Sequence, residues 1–138
     1  MNLIRKTYDT TEVQITSFQS SKGITEYHIF FQQTNCLEDF HTQLQHIQDV
    51  YAHSVEELPG NPVAIFRRYF LSDVTNQTDE LMERERLSPY CALSIVQQAP
   101  MNGTKIALWA WLQTGVQTQV LPSGLFEARH GAYGQLLG

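Results

Sequence analysis

Few residues of this chain have the types and spacing that chemistry requires. The adjacent pair Arg67-Arg68 lies in the apolar run Val63 to Leu71. A guanidinium can hold a carboxylate through a bidentate pair of hydrogen bonds, so either arginine is a candidate anchor for an acidic ligand. An arginine pair on a strand is more often an ion-pairing or solvated feature, and this second interpretation is favoured.

The histidines and cysteines do not form the pattern of a metal or nucleophile site. His41 and His46 are five residues apart, the wrong interval for facing ligands on one helix, and His53 lies about two turns beyond His46. Cys36 and Cys91 are far apart and form no CxxC motif, and nothing near Cys91 in the sequence supplies a base. We expect no metal, no cofactor and no cysteine nucleophile, and we interpret both cysteines as core or near-core residues.

The composition and net charge indicate a one-domain protein and disfavour nucleic-acid and membrane partners. A length of 138 residues with 42% hydrophobic content predicts one domain with one core. The formal net charge of -5 leaves no excess of cations to neutralise a phosphate backbone, which disfavours a nucleic-acid partner. No stretch approaches the roughly twenty apolar residues of a membrane span, and the first residues do not resemble a secretory signal. A reducing, cytoplasmic setting without a membrane partner is therefore expected.

Hydrophobic periodicity predicts five strands and two helices. The first helix is expected to begin with Asn35 as its cap, with Glu38 three positions on. The second is expected from about Thr78 to Leu87, capped by Asn76 or Thr78. Its run Glu83 to Arg86 alternates in charge and predicts a solvated helix face. The predicted strands are Val13 to Phe18, Tyr27 to Phe31, Val63 to Leu71, Cys91 to Gln98 and Lys105 to Gln113.

These elements follow one another in the order ββαβαββ, which predicts an α+β fold with a mixed sheet covered by two helices on one face. Val63 to Leu71 is apolar on both faces and is expected to be an inner strand. The Asn102-Gly103 pair predicts a hairpin between the last two strands.

The two helices cannot cover all of the large aromatic residues of these strands. The first helix is expected to place an apolar stripe on the sheet, formed by Leu37, Phe40, Leu44, Ile47 and Tyr51. Its polar residues are expected mostly to face water or a neighbouring subunit, and they are His41, Gln43, Gln45, Gln48 and Asp49. Part of the aromatic set on the strands should then contact another subunit or domain, most simply in a closed ring. The aromatic residues concerned are Phe18, Phe30, Phe66, Phe70, Trp109 and Trp111.

An ordered set of segments resembles the YjgF/RidA family, which is also described as endoribonuclease L-PSP or translation initiation inhibitor. No single motif carries the resemblance, which covers roughly Asn35 to Gln113. It implies the ββαβαββ fold, of a chorismate mutase-like type, and homotrimers with ligand clefts between subunits. The similar segments are His41 to Ile47, Phe70 to Asp73, Ser88 to Leu93, Ala99-Pro100 and Lys105 to Ala110.

The resemblance also shows what this chain lacks. Active family members hydrolyse reactive enamines and imines. They use an arginine two residues after a proline to hold the substrate carboxylate, and a glutamate on the last strand to position water. The residue two positions after Pro89 is Cys91, and the stretch matching the glutamate is Ala107 to Ala110. We therefore expect no catalytic residue of the family type, and a non-catalytic ligand-binding or assembly module.

A second interpretation stays open at this point. Arg67 or Arg68 could supply the carboxylate anchor from a neighbouring strand, while Tyr90, Cys91 and Trp109 line an altered, more aromatic cleft. The chain would then be an enzyme of altered specificity, an imine or enamine deaminase-like or other hydrolase, acting on a small carboxylate or aromatic metabolite between subunits. Packing of Trp109 at an interface competes with this view and is favoured.

The carboxy-terminal residues exceed the minimal family domain. We expect a YjgF-like domain over residues 1–113, and over 114–138 either a C-terminal extension or the start of a further module. This stretch predicts loop with weak strand content, which could cover the sheet edge through Phe126 and Tyr133. Because larger relatives carry two or more such units, the expected assembly is a homotrimer or a pseudo-trimer of tandem domains.

Overall fold

The computed structural model describes residues 2–20, 22–86 and 91–115 in full, and residues 117–120, 126–130 and 133–137 as backbone strands. The elements follow from the alternation and helical spacing of the sequence, with additional strands at both ends. In chain order they are β1 (Asn2–Tyr8), β2 (Thr11–Gln19), β3 (Thr25–Gln33), α1 (Phe40–Glu57), β4 (Val63–Leu71), α2 (Val74–Glu85), β5 (Ala92–Gln97), β6 (Ile106–Gln113), β7 (Gln117–Val120), β8 (Phe126–His130) and β9 (Tyr133–Leu137).

Strands β1 to β6 form one mixed sheet in the order β1-β2-β3-β6-β4-β5. Only β4 and β5 pair in parallel, and the other neighbours are antiparallel. The prediction of an α+β fold with a mixed sheet and two helices is confirmed, as is the inner position of β4. The predicted strand order lacked β1, an edge strand whose residues are mostly exposed, so that no buried stripe marks it in the sequence.

The predicted hairpin between β5 and β6 is wrong, because β4 lies between these two strands. After β5 the chain crosses the end of β4 and enters β6, which lies on the other side of β4. Asn102 and Gly103 still form a turn, with φ of 83° at Gly103, but Asn102 Nδ2 donates to the Gln33 carbonyl 2.7 Å away. The turn is therefore fastened to β3 instead of closing a two-stranded ladder.

Both helices begin at an aspartate cap. The Asp39 carboxylate accepts a hydrogen bond of 2.8 Å from the Thr42 amide, and Asp73 accepts one of 3.3 Å from the Asn76 amide. The predicted caps were wrong by several residues. Asn35 instead accepts from the amide two residues ahead of it, in a turn that precedes α1.

The loop between α1 and β4 is the predicted chain break. The helix ends at Glu57, and Gly60 has φ of 86°, a region that favours glycine. A Cβ atom at Gly60 would lie 2.9 Å from Thr114 Cγ2, so this loop also needs the small residue where it passes the end of β6.

The core lies between the helices and one face of the sheet. Leu44 and Ile47 of α1 and Leu81 of α2 are fully buried against that face. The sheet residues that form the core with them are Val13, Ile15, Tyr27, Ile29, Phe31, Tyr69, Leu71, Ile106, Leu108, Ala110 and Leu112. The predicted apolar stripe of α1 is thus confirmed in its central residues.

Three predictions at the edges of this core are wrong. Leu37 precedes the helix and is 91% exposed, because α1 begins later than its spacing suggested. Gln43 is buried, since its side chain donates to the Glu38 carbonyl and accepts from the Lys105 amide, both at 2.8 Å. Cys36 is exposed and does not belong to the core.

Strands β7, β8 and β9 form a separate three-stranded antiparallel sheet. Strand β6 ends at Gln113, and the stretch after it, for which loop with weak strand content was expected, contains β7, β8 and β9. Among the described residues, neither helix combines the length and the apolar character needed to cross a bilayer.

Candidate functional site: a buried ion pair and an open aromatic face

The two candidate arginines lie on opposite faces of the sheet. Side chains on a strand alternate between the faces, so consecutive residues cannot point the same way. Arg67 faces the helices and is 3% exposed, whereas Arg68 is half-buried on the face that the helices leave open. The structure therefore separates the predicted carboxylate anchors, and they cannot grip one ligand together.

Arg67 is held in a closed polar cluster beneath the helices. Its Nη2 donates to Glu85 Oε2 at 2.6 Å, its Nε lies 3.0 Å from Cys91 Sγ, and its Cζ lies 5.2 Å from the centre of the Tyr51 ring. Tyr69 Oη donates to the other oxygen of Glu85, also at 2.6 Å. The Glu85 carboxylate of α2 thereby bonds two residues of β4, Arg67 and Tyr69, that face the helices.

The electrostatics of this cluster fix its protonation. Burial raises the pKa of the Cys91 thiol, and this outweighs the opposite effect of Arg67. Burial alone would lower the Arg67 pKa, but attraction to Tyr51, Cys91 and Glu85 outweighs it and the pKa is raised. Burial also raises the pKa of Tyr69 well above its ordinary range. The cluster thus holds a guanidinium beside a neutral thiol, and Cys91 is not an activated nucleophile.

Sequence reasoning missed the role of Glu85. The run of alternating charge that contains it predicted a solvated face, which holds for the exposed residues Glu83 and Arg86 but is wrong for Glu85, which is 8% exposed. A signal was present, because Glu85 follows the buried Leu81 by four residues and so lies on the same helix face. An arginine in the middle of an inner strand also demands a carboxylate partner.

The opposite face of the sheet is open and aromatic. Its residues occupy alternate positions on the four central strands, and neither helix covers them. Phe18 and Phe30 remain 42% and 36% exposed, which confirms that two helices do not bury the whole aromatic set. We call this surface the open face, and its aromatic residues are Phe18, His28, Phe30, Phe66, Phe70, Trp109 and Trp111.

Ring contacts order the open face. The His28 ring stacks on Trp109 and Trp111 with centroid separations of 5.8 Å and 6.1 Å, and the Phe18 ring meets it edge-on. Trp111 Nε1 donates to Glu26 Oε1 at 2.7 Å. The rings are therefore prearranged in the single chain as a firm, largely apolar surface.

Arg68 lies among these rings. Its Nε donates to Ser94 Oγ at 3.3 Å, and its Cζ lies 5.3 Å from the centre of the Phe66 ring. Trp109 is its direct neighbour across the β4–β6 ladder. A cation thus lies on the β4 side of the open face, among its aromatic rings.

A pocket of about 310 Å³ lies at one end of the open face. Phe30 and Phe70, whose ring centres are 6.2 Å apart, form its walls with the loop around Pro100. Gln32 and Gln98 supply its polar groups, and no charged side chain lines it. The pocket has the size of a small-molecule site, but it offers no cation for a carboxylate.

The five candidate cleft residues do not form one site. Arg67 and Cys91 are together on the helix side, and Arg68 and Trp109 are together on the open face. Tyr90 lies outside the described residues. A shared ligand cleft for these residues stays a prediction that would need a neighbouring subunit.

The histidines of α1 pair singly with glutamates. His41 contacts Glu80 at 2.5 Å, and His53 contacts Glu57 at 2.6 Å. Within the described part of the chain, no three side chains of His, Cys, Asp or Glu come together as metal ligands would.

Comparison of the chain with protein families, curated proteins and solved structures finds no match.

Proposed function

We propose that this chain is a non-catalytic assembly module, a divergent relative of the YjgF/RidA domains, that associates with copies of itself through the open face. The expected product is a closed homotrimer, or a pseudo-trimer where tandem units are joined in one chain. The observation that carries the proposal is the open face itself, an ordered aromatic array on the side of the sheet opposite both helices.

Leaving this largely apolar surface in water costs free energy. Contiguous apolar patches of this kind are rare on monomers and mark interaction sites. The aromatic content matches the core of protein interfaces, in which tryptophan, phenylalanine and arginine are enriched. Because the rings already contact one another, little side-chain entropy would be lost on association.

Three observations favour the non-catalytic part of the proposal. Cys91 stands where the resemblance places the substrate-binding arginine, and it is buried as a neutral thiol beside Arg67. Ala107, in the stretch matching the family glutamate, offers no proton acceptor. Arg67 is neutralised by Glu85 and shielded from any ligand. The alternative of an altered enzyme keeps Arg68 beside Trp109 as an anchor but loses Arg67 and Cys91, which lie on the other side of the sheet.

The experiment that tests assembly is analytical ultracentrifugation of the wild-type chain and of Phe30→Glu. Phe30 is 36% exposed, so its replacement should leave folding intact while it places a charge in the centre of the open face. We expect the wild type to associate and the variant to be monomeric. The matched control is Leu37→Glu, which alters a residue that is 91% exposed and lies off the sheet. A wild type that stays monomeric at high concentration would refute the proposal.

The non-catalytic part has its own test. Ammonia release from a system that generates 2-aminoacrylate should be no faster with this chain than without it. Turnover comparable to that of an active deaminase would end this part of the proposal, whatever the state of assembly.

A further inference from the structure

Arg68 has no acidic partner within the described part of the chain. Its contacts are Ser94 and the Phe66 ring, and it forms none of the ion pairs. A guanidinium carries five N–H donors. If another molecule covers the open face, these donors lose water, and an uncompensated buried cation is costly. The covering surface must therefore bring an acceptor to Arg68.

Among the described residues, the open face has two carboxylates, and only one of them has no ion pair or side-chain hydrogen bond. Glu26 accepts from Trp111 and lies 3.6 Å from His28, so its oxygens are engaged. Glu12 lies on β2, is exposed, and forms no ion pair or side-chain hydrogen bond with the described residues. Arg5 of the neighbouring strand β1 lines the same pocket as Glu12 but forms no ion pair with it, so Glu12 can still accept a cation from another copy, as Arg68 can accept an anion.

These two residues cannot meet within one chain. Strands β3 and β6 separate β2 from β4, and three strand spacings amount to about 14 Å. Arg68 is level with Gln14 across the ladders, two residues from Glu12 and on the same side of the sheet. They face the same way at nearly the same height, one on each side of the sheet's midline.

That placement is complementary between copies. The midline of the sheet runs between β3 and β6. In a closed ring whose axis runs parallel to the strands, the half of one sheet that contains β4 meets the half of the next copy's sheet that contains β2. Resting on the proposed assembly function, we infer that Arg68 of one copy pairs with Glu12 of a second copy and fixes how the open faces meet.

Charge exchange tests the inference. Arg68→Glu and Glu12→Arg should each weaken self-association roughly tenfold or more, because each places like charges together. The double variant, with both changes in one chain, should recover wild-type association to within about threefold. It should also fail to mix with wild-type chains labelled with a different fluorophore. Arg86→Glu, on an exposed residue of α2, is the control and should change nothing.

The results of these experiments distinguish failure of the Arg68–Glu12 pair from failure of the proposed assembly. If the wild type is monomeric, the assembly proposal and this inference both fail. If Phe30→Glu dissociates the assembly while Arg68→Glu, Arg68→Gln and Glu12→Gln leave it intact, assembly through the open face stands and the Arg68–Glu12 pair is overturned. Recovery in the double variant would support the pair, and a double variant weaker than either single change would refute it. Thermal melts of each variant establish that it is folded.

Discussion

Arg67 Nη2 lies 2.6 Å from Glu85 Oε2, and both side chains are about 95% buried, with exposures of 4% and 5%. This pair joins the inner strand β4 to the last turn of α2. Tyr69 and Cys91 occupy positions that keep water from it. Burying an ion pair costs desolvation free energy. Removing one partner destabilises the fold further, because the remaining charge stays buried without a counter-charge or water.

Glu85→Gln should therefore destabilise the fold strongly. The substitution leaves the Arg67 guanidinium buried without a counter-charge. We therefore expect the free energy of unfolding to fall by about 3–5 kcal/mol. Urea denaturation followed by circular dichroism measures this loss. The matched control is Glu83→Gln, two residues earlier on the exposed side of α2, which should cost no more than about 0.5 kcal/mol. Equal effects of the two changes would contradict the structural role of the pair.

Cys91 should be unreactive toward thiol reagents in the native protein. Burial raises the pKa of its thiol, so little thiolate forms at neutral pH, and the residue is only 7% exposed. We expect Ellman's reagent to label one thiol quickly, that of the exposed Cys36, and the second only after denaturation. The Cys36→Ser variant should lose the fast phase. Rapid labelling of native Cys36→Ser would show that Cys91 is an activated thiolate after all.

Local patterns in the sequence were sufficient for most elements of the fold. The alternation in β2 and β3, the apolar spacing of α1 and the β-branched run of β4 each come from residues close together in the chain. The predictions that were wrong concern pairings between residues far apart in the chain. The Asn102-Gly103 turn has hairpin chemistry, but the insertion of β4 between β5 and β6 is a non-local pairing that turn residues do not encode.

The candidate site was less predictable than the fold. Both arginines selected from the sequence occupy unusual positions. Arg67 is a buried cation, and Arg68 is a cation among aromatic rings. Their separation follows from strand alternation, and it could have been deduced once the strand was assigned. Glu85 was missed because a charged run on a short helix is ordinarily solvated, and only the arginine across the interior gives it a reason to be buried.

Alkaline pH should destabilise the protein through its buried tyrosines. Burial raises the pKa of Tyr51 to about 12, above an ordinary value of about 10. A raised folded-state pKa means that the contribution of Tyr51 to stability is constant below about pH 10 and falls as pH rises from there toward 12, because the unfolded chain ionises first. Each such tyrosine contributes a slope of about 1.4 kcal/mol per pH unit in that window.

Tyr51→Phe isolates this effect, since phenylalanine keeps the ring and cannot ionise. The variant also loses the hydrogen bond between the Tyr51 hydroxyl and Arg67, so it should unfold at lower urea concentration than the wild type near pH 7, and it should lose less further stability between pH 10 and 12. Parallel loss in the two proteins over that window would show that Tyr51 ionises as readily in the folded state as in the unfolded one.

The aspartate cap of α1 predicts the opposite behaviour in acid. The hydrogen bonds from Thr42 lower the pKa of Asp39 below its ordinary value. A lowered folded-state pKa means that the stabilisation is present above the unfolded-state value of about 3.9 and disappears as pH falls through the folded value. Asp39→Ala should unfold at lower urea concentration than the wild type near pH 7, and this difference should close as pH falls below about 4.

Asp39→Asn keeps an acceptor for the Thr42 amide without a titrating group, so its stability should lie near that of the wild type at neutral pH. It should lack the acid-dependent loss that comes from this cap. A gap between Asp39→Ala and wild type that stays constant down to pH 2 would show that protonation of Asp39 does not release the helix terminus.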